Sequence, residues 1–365
     1  MTRGRQPQSS GVAIPEPWQG PVSGGFPEAG LFRSSGIEQL RAMIEGRVPS
    51  PPIGHLTGMR LIEVGAGTAS FSMPASRWLL SPQGVIANGT LAVLADGPLG
   101  CAVQTALPPA TPYTTSELSL RIVQPAHPGG TLTARGRLVH AKRALGLSEV
   151  FIHDEDGRLL AHGSSLCFIL PSIQLDPGAH EEHLTESVSA HHDNLDPYER
   201  PVAGEVLPQE VWDSMGGLEV IEAQLTGELP LPPMSHLFGV RPVEVGEGWA
   251  TFVLPATEWL CSPLRTVEGG VIAMLADAAL ASAVQTTVPA GAALAMVDLK
   301  VNFLRPARPD GRDLVCRGAV THRGRTMAVA SAEVQNADGK PVALATGSAM
   351  ILPGRPASLA GVASD

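Results

Sequence analysis

Sliding the 365-residue chain along itself by 181 positions lays Gly36–Thr105 over Gly217–Thr286 without a gap, and 33 of the 70 pairs are identical. Whatever this chain folds into must therefore contain one fold twice. His55-Leu56 falls on His236-Leu237, Trp78-Leu79 on Trp259-Leu260, and Leu94-Ala95-Asp96 on Leu275-Ala276-Asp277. One inserted residue later the match resumes, with His140 on His322, Arg143 on Arg325 and Asp156-Gly157 on Asp338-Gly339. The implied organisation is a flexible N-terminal segment over 1–30, one copy over 31–170, a linker over 171–208, a second copy over 209–353 and a tail over 354–365. The linker is acidic and rich in His and Pro, the composition of an exposed connection.

Each copy has the same internal order. An amphipathic helix comes first, with Ile37, Leu40 and Ile44 in one copy and Leu218, Ile221 and Leu225 in the other at helical spacing. A Pro-rich crossing and a two-stranded hairpin follow, the latter with its turn at Gly65 and Gly67. Then comes the longest apolar run, Gly89–Val103 or Gly270–Val284, whose Ala, Leu and Met content on every side predicts a helix covered all round. Four strand-like segments complete the copy. Helix and strand do not alternate, which excludes a βαβ sheet. The expected fold is α+β, a long central helix against an antiparallel sheet of five to six strands, made twice.

Composition narrows the function classes. Apolar residues make up 44% of the chain and the net charge is -10, with lysine only at 142, 300 and 340. No basic block is available to contact nucleic-acid phosphates. Apolar stretches break before the ~18 residues that a membrane span needs, and the N-terminus lacks the apolar core of a secretory signal. Four separated cysteines in apolar surroundings read as buried thiols of a reducing cytoplasm. His180, His183, His191 and His192 lie in the linker and read as solvated, so no metal is expected.

The run Glu268-Gly269-Gly270-Val271-Ile272-Ala273-Met274-Leu275-Ala276-Asp277 resembles the signature of the hotdog-fold acyl-CoA thioesterases, most closely the group typified by the phenylacetate-pathway thioesterase. That signature is usually His-Gly-Gly, a few apolar residues, then Leu-Ala-Asp. The second copy departs by Glu268 in the His position. The first copy, Ala87-Asn88-Gly89 through Asp96, also lacks the first Gly. The strand Val297–Pro306 is similar to the one that follows the helix in that family. The resemblance implies two tandem hotdog domains, an acyl-CoA or related acyl-thioester substrate, no cofactor beyond the coenzyme A of the substrate itself, and a homodimer of double-hotdog chains.

Thioester hydrolysis needs donors for the developing oxyanion, a base for water and a slot for the acyl group. A Gly-Gly pair opening a helix offers free N–H groups without an intervening Cβ, and Asp96 or Asp277 offers an ionisable carboxylate. Eight residues separate Gly269 from Asp277, ~12 Å along a helix, so donor and base on one helix cannot serve one reacting centre. The Gly end of each central helix must meet the Asp of the other. Two composite sites follow, Gly269 and Gly270 with Asp96, and Asn88 and Gly89 with Asp277.

By resemblance the hydroxyl that holds the water falls on Thr115 in one copy and on Met296 in the other, while a polar residue ahead of the helix that assists the oxyanion hole falls on Ser81 and Ser262. The expected working site is thus Asp96, Thr115, Gly269, Gly270 and Ser262. The second, with Asp277, Asn88, Gly89 and Ser81, is expected to be degenerate. His140, Arg143, His322 and Arg325 are candidates for contacts to coenzyme A phosphates. Pro98, just after Asp96, is expected to kink its helix. Bland readings stand beside these: the aspartates as anchors between copies, the glycines as packing residues, His55 and His236 as structural. Alternatives to hydrolysis are a non-catalytic acyl-thioester binder or scaffold, and a hotdog hydratase or dehydratase, which usually needs an Asp-His pair at the helix.

Overall fold

The computed structural model describes residues 16–174 and 195–360; the linker histidines at 180, 183, 191 and 192 lie outside them. The first copy runs α1 (Gly36–Ile44), α2 (Pro52–Thr57), β1 (Arg60–Gly65), β2 (Thr68–Pro74), α3 (Asn88–Gln104), β3 (Tyr113–Ile122), β4 (Thr131–Lys142), β5 (Leu145–His153) and β6 (Leu159–Ile169). The second runs α4 (Gln209–Ser214), α5 (Gly217–Thr226), α6 (Pro233–Phe238), β7 (Arg241–Gly246), β8 (Trp249–Pro255), α7 (Gly269–Gln285), β9 (Ala292–Phe303), β10 (Asp313–Arg323), β11 (Met327–Gln335) and β12 (Pro341–Pro353). Each copy is a hotdog unit of six antiparallel strands wrapped on one long helix.

Local chemistry explains the repeated landmarks. Ser35 starts α1 with a capping box, its N–H donating to Glu38 Oε2 at 2.8 Å. Gly67 and Gly248 take φ near +77° and +79° to turn each hairpin. Their N–H groups donate to Thr105 Oγ1 and Thr286 Oγ1 at 2.9 and 2.8 Å. The repeated Gln-Thr at the helix end thus ties the central helix to the hairpin.

The strands form one sheet in the order β1-β2-β4-β5-β6-β3-β9-β12-β11-β10-β8-β7. Its midpoint is the β3–β9 pair, where Leu120 faces Leu299 and Glu117 faces Asn302. Joining the copies there forces α3 and α7 together on the concave side. Both helices are covered almost throughout, with Leu91, Leu94, Leu275 and Leu280 at zero exposure, as their all-round apolar sequence requires.

Several details differ from the sequence reading. The Pro-rich crossings contain the short helices α2 and α6, started by Pro52 and Pro233 at positions where a missing N–H is harmless. β3, β6 and β9 begin at Tyr113, Leu159 and Ala292, where the strand-like segments of the sequence start only at Glu117, Leu166 and Asp298. α3 continues without interruption through Pro98. The Pro98 carbonyl lies where a Cβ on Gly136 would come within 2.4 Å, so the strand beside it can carry only glycine.

Residues 16–20 and 196–200 form a pair of crossed clasps. Glu16 Oε1 pairs with His236 Nδ1 at 2.8 Å and Trp259 Nε1 donates to the Gly20 carbonyl at 3.1 Å. In the other copy Asp196 pairs with His55 at 3.0 Å and Trp78 donates to the Arg200 carbonyl at 2.9 Å. The segment before the first copy packs on the second, and the segment before the second packs on the first. His55, His236 and both tryptophans have structural partners here.

Candidate active site

α3 and α7 meet head to tail. In the middle of α3, Asp96 Oδ2 accepts the backbone N–H of Gly270 at 2.9 Å, and the neighbouring Gly269 amide also favours the charged carboxylate. Glu268, the residue before α7, makes no side-chain cap, so the first amides of that helix are satisfied from the neighbouring copy instead. At the other end of the helix pair, the Gly89 amide favours the charged form of Asp277.

The glycines divide the roles that the sequence left open. A Cβ on Gly270 would fall 2.6 Å from the Ala92 carbonyl oxygen and Val93 Cα, and one on Gly89 would fall 2.9 Å from Met274 Cα. These two allow the helices to touch. A Cβ on Gly269 would instead fall 2.9 Å from Asp96 Oδ2, on the carboxylate itself.

Burial sets the electrostatics. Loss of water raises the Asp96 carboxyl to about 6, and the Gly270 and Gly269 amides restrain the rise. Asp277 is raised to about 7 by the same cause, against the Gly89 amide alone. The Cys101 thiol is pushed up first by burial and then by the Asp96 charge, and Tyr113 is pushed up first by burial. Both are neutral neighbours.

A cavity of about 630 Å³ reaches Asp96 and is lined from both copies, a volume typical of small-molecule sites. Its apolar lining includes Phe32, Leu40, Met43, Ile53 and Met59 from the first copy. Thr115, Ser262, Glu268 and Gly269 line the same cavity as Asp96, and of these Gly269 and Glu268 are next to its carboxylate. Ser262 Oγ accepts the Leu264 N–H at 3.3 Å, which leaves its O–H to donate. Thr115 precedes a bulge in β3, pairing with Cys167 before Glu117 pairs with Leu166. Met296 precedes the matching bulge in β9, so the two occupy equivalent positions.

Asp277, Asn88, Gly89 and Ser81 do not line this cavity. Asp277 is 8% exposed, and the Ser81 hydroxyl is buried without a partner. His140, Arg143, His322 and Arg325 do not line it either. They stand at or just beyond the ends of β4 and β10, and the basic side chains at the cavity are Arg60, Arg305 and His55. Sequence reasoning missed those, and gave Glu268 no role; the one available signal was a carboxylate where its relatives carry His and where the first copy has Ala87. Among the described residues no group of three or more His, Cys, Asp or Glu could hold a metal ion, and no helix is long and apolar enough to cross a membrane.

Comparison with known proteins follows the repeat. A family model described as the thioesterase superfamily matches residues 83–161 and again 265–343. A protein of Halobacterium salinarum named as an esterase is 38% identical over 87 residues, covering 22% of this chain and 56% of that one, so the chain spans about half the length of this curated relative. The tesB protein of Mycobacterium avium subspecies paratuberculosis is similar in structure with a TM-score of 0.51 at 16% identity, covering 87% of this chain and 100% of that one. A hot dog fold protein of Alicyclobacillus acidocaldarius matches with a TM-score of 0.50 at 17% identity, covering 82% and 97%. These two structural likenesses concern the fold: two hotdog units in one chain.

Proposed function

We propose that this chain, which belongs to the thioesterase superfamily as a tandem hotdog protein, hydrolyses acyl thioesters of the acyl-CoA type to a free acid and a thiol. The observation that carries this reading is the Asp96 carboxylate, held on the start of α7 and facing a cavity that both copies line. The acyl group would occupy the apolar end between α1 and α3, and the thiol side would leave past Arg60 or Arg305.

In this reading Asp96 takes the proton of a water that the Thr115 hydroxyl helps hold, or attacks the carbonyl carbon itself to give a transient anhydride. Raising its carboxyl to about 6 keeps it ionised at neutral pH yet makes it a stronger base than a free aspartate. Gly269 N–H and Ser262 O–H stand near the carbonyl oxygen as the tetrahedral charge develops. Coenzyme A enters as part of the substrate, and no other cofactor is involved. The Asp277 site, with Met296 in the hydroxyl position, contributes little turnover.

A second reading has support in the same hydrogen bond. Asp96 caps α7, so a non-catalytic acyl-thioester binder would also retain it. Hydrolysis measured over acetyl- to palmitoyl-CoA and benzoyl-CoA, with wild type, Asp96→Asn and Asp277→Asn, separates the two. Turnover lost in Asp96→Asn alone supports the hydrolase; ligand binding without turnover in every variant supports the binder.

We further propose the division into units 31–170 and 209–353, a cytoplasmic location and a homodimer. The outer strands β1 and β7 end the sheet with Ile62 and Val243 exposed at 48% and 37%, an edge that association would cover.

A further inference from the structure

Glu268 is a buried carboxyl group that the proposed chemistry has not used. It is 6% exposed, lines the Asp96 cavity and has an oxygen, Oε2, with no hydrogen-bond partner. Its backbone is fully engaged: the N–H donates to Leu260 at 2.9 Å, and its carbonyl accepts from Val271 and Ile272. Its side chain caps nothing. A carboxyl oxygen placed this way without a partner costs stability that an alanine would not incur. Ala87, its counterpart in the first copy, shows that the fold does not need it. The polar end of the Asp96 site thus gains a group that the Asp277 site lacks, as it gains Thr115 over Met296.

We propose that Glu268 is a further catalytic residue of the Asp96 site, donating its carboxyl O–H to the carbonyl oxygen of the bound acyl thioester. It acts beside the Gly269 amide, the adjacent donor at the same helix start. Water attacks the carbonyl carbon and gives its proton to Asp96, while the C=O electron pair moves onto the oxygen held by Glu268 and Gly269. The C–S bond then breaks with its pair on sulfur, and the thiolate takes the proton back from Asp96. Glu268 keeps its own proton throughout. Two adjacent carboxyls suit this division, because burial and the Asp96 charge both keep Glu268 neutral while Asp96 is ionised. The titratable groups that face it are Asp96 and Cys101 on α3 and Cys261 ahead of α7, both thiols being neutral. Arg305, His55 and Asp196 line the same cavity.

The inference rests on the hydrolase reading, and the experiment tells the two apart. Rates with butanoyl-, octanoyl- and benzoyl-CoA are measured against pH for wild type, Glu268→Gln and Glu268→Ala. Glu268→Ala is expected to lower kcat ~10²–10³-fold, the usual effect of losing one oxyanion donor, with KM little changed. Glu268→Gln retains a donor, so its kcat is expected to stay within about tenfold of wild type. It is also expected to lose the alkaline fall in rate that ionisation of Glu268 causes in wild type. Wild-type kcat in Glu268→Ala, a folded Glu268→Gln as inactive as the alanine variant, or an alkaline limb unchanged in Glu268→Gln would each overturn the role. If Glu268→Ala does not fold, the pH profile of Glu268→Gln decides. A wild type inert toward all three substrates would instead defeat the hydrolase reading itself.

Discussion

The Gly270 N–H donates to Asp96 Oδ2 at 2.9 Å, so the start of one central helix is capped by a carboxylate from the middle of the other. That bond adds to the β3–β9 pairing between the copies and, in the proposed reaction, sets the base beside the amides that would receive an oxyanion. Structure and chemistry therefore share one side chain, and experiments must separate them.

Activity is expected to follow the Asp96 carboxylate. With its folded carboxyl at about 6, kcat/KM rises with pH through that value as the carboxylate forms, ahead of the alkaline fall assigned to Glu268. Asp96→Asn is expected to lose ~10²–10⁴-fold in kcat, the range for removing a general base. Asp277→Asn is expected to stay within about threefold, because Asp277 lies outside the cavity. Steady-state rates from pH 5 to 9 check both; equal losses in the two variants would mean two working sites.

The adjacent glycines are expected to fail differently. Gly270→Ala pushes a methyl into the Ala92 backbone at 2.6 Å and separates α3 from α7. Overpacking of this kind costs about 1–3 kcal/mol. Gly269→Ala meets the movable Asp96 carboxylate at 2.9 Å, so stability falls less while kcat falls sharply. Urea denaturation beside kinetics resolves the two, and a common loss of stability alone would reduce the pair to packing.

Asp277 is expected to make the protein less stable as pH rises. Its carboxyl moves from 3.8 when unfolded to about 7 when folded, so the folded state holds the extra proton between those values. Stability is fullest below about 4 and declines through 7. Asp277→Asn removes the charge and keeps an acceptor for Gly89. It is expected to be more stable than wild type at pH 8, by on the order of 2 kcal/mol, and similar at pH 4. Thermal melts at the two pH values test this; a variant destabilised equally at both would show that the ionised carboxylate is paired.

Deleting residues 1–20 is expected to loosen the second copy. Trp259 is fully buried and its indole N–H loses the Gly20 carbonyl, while His236 loses Glu16. An unpaired buried donor costs about 1–3 kcal/mol. Hydrogen exchange is expected to increase around α6 and Trp259, leaving α2 and Trp78 protected by 196–200. Exchange increasing first in the first copy would contradict the crossed arrangement.

The sequence made the repeat, the two buried helices and the thioesterase resemblance legible because each is a one-dimensional pattern. Helical length also required donor and base to come from different copies, since eight residues carry them ~12 Å apart. Other features depend on where the chain returns in space. The clasps at 16–20 and 196–200 match at a spacing of 180 rather than 181 and share little sequence, so the packing of each on the opposite copy could not be read. The positive groups at the cavity are another case: strand-end position pointed to His140 and Arg143, whereas the start of β1 and the turn after β9 bring in Arg60 and Arg305. The different settings of the two aspartates, one lining the cavity and one outside it, were decided the same way. Both copies carry an aspartate on an apolar helix, and sequence alone determines that. Which aspartate lines the cavity shared by the two copies, and that Glu268 stands next to it with an unpaired oxygen, was decided by tertiary packing, because burial and accessibility are set by the residues of the other copy that close over each site.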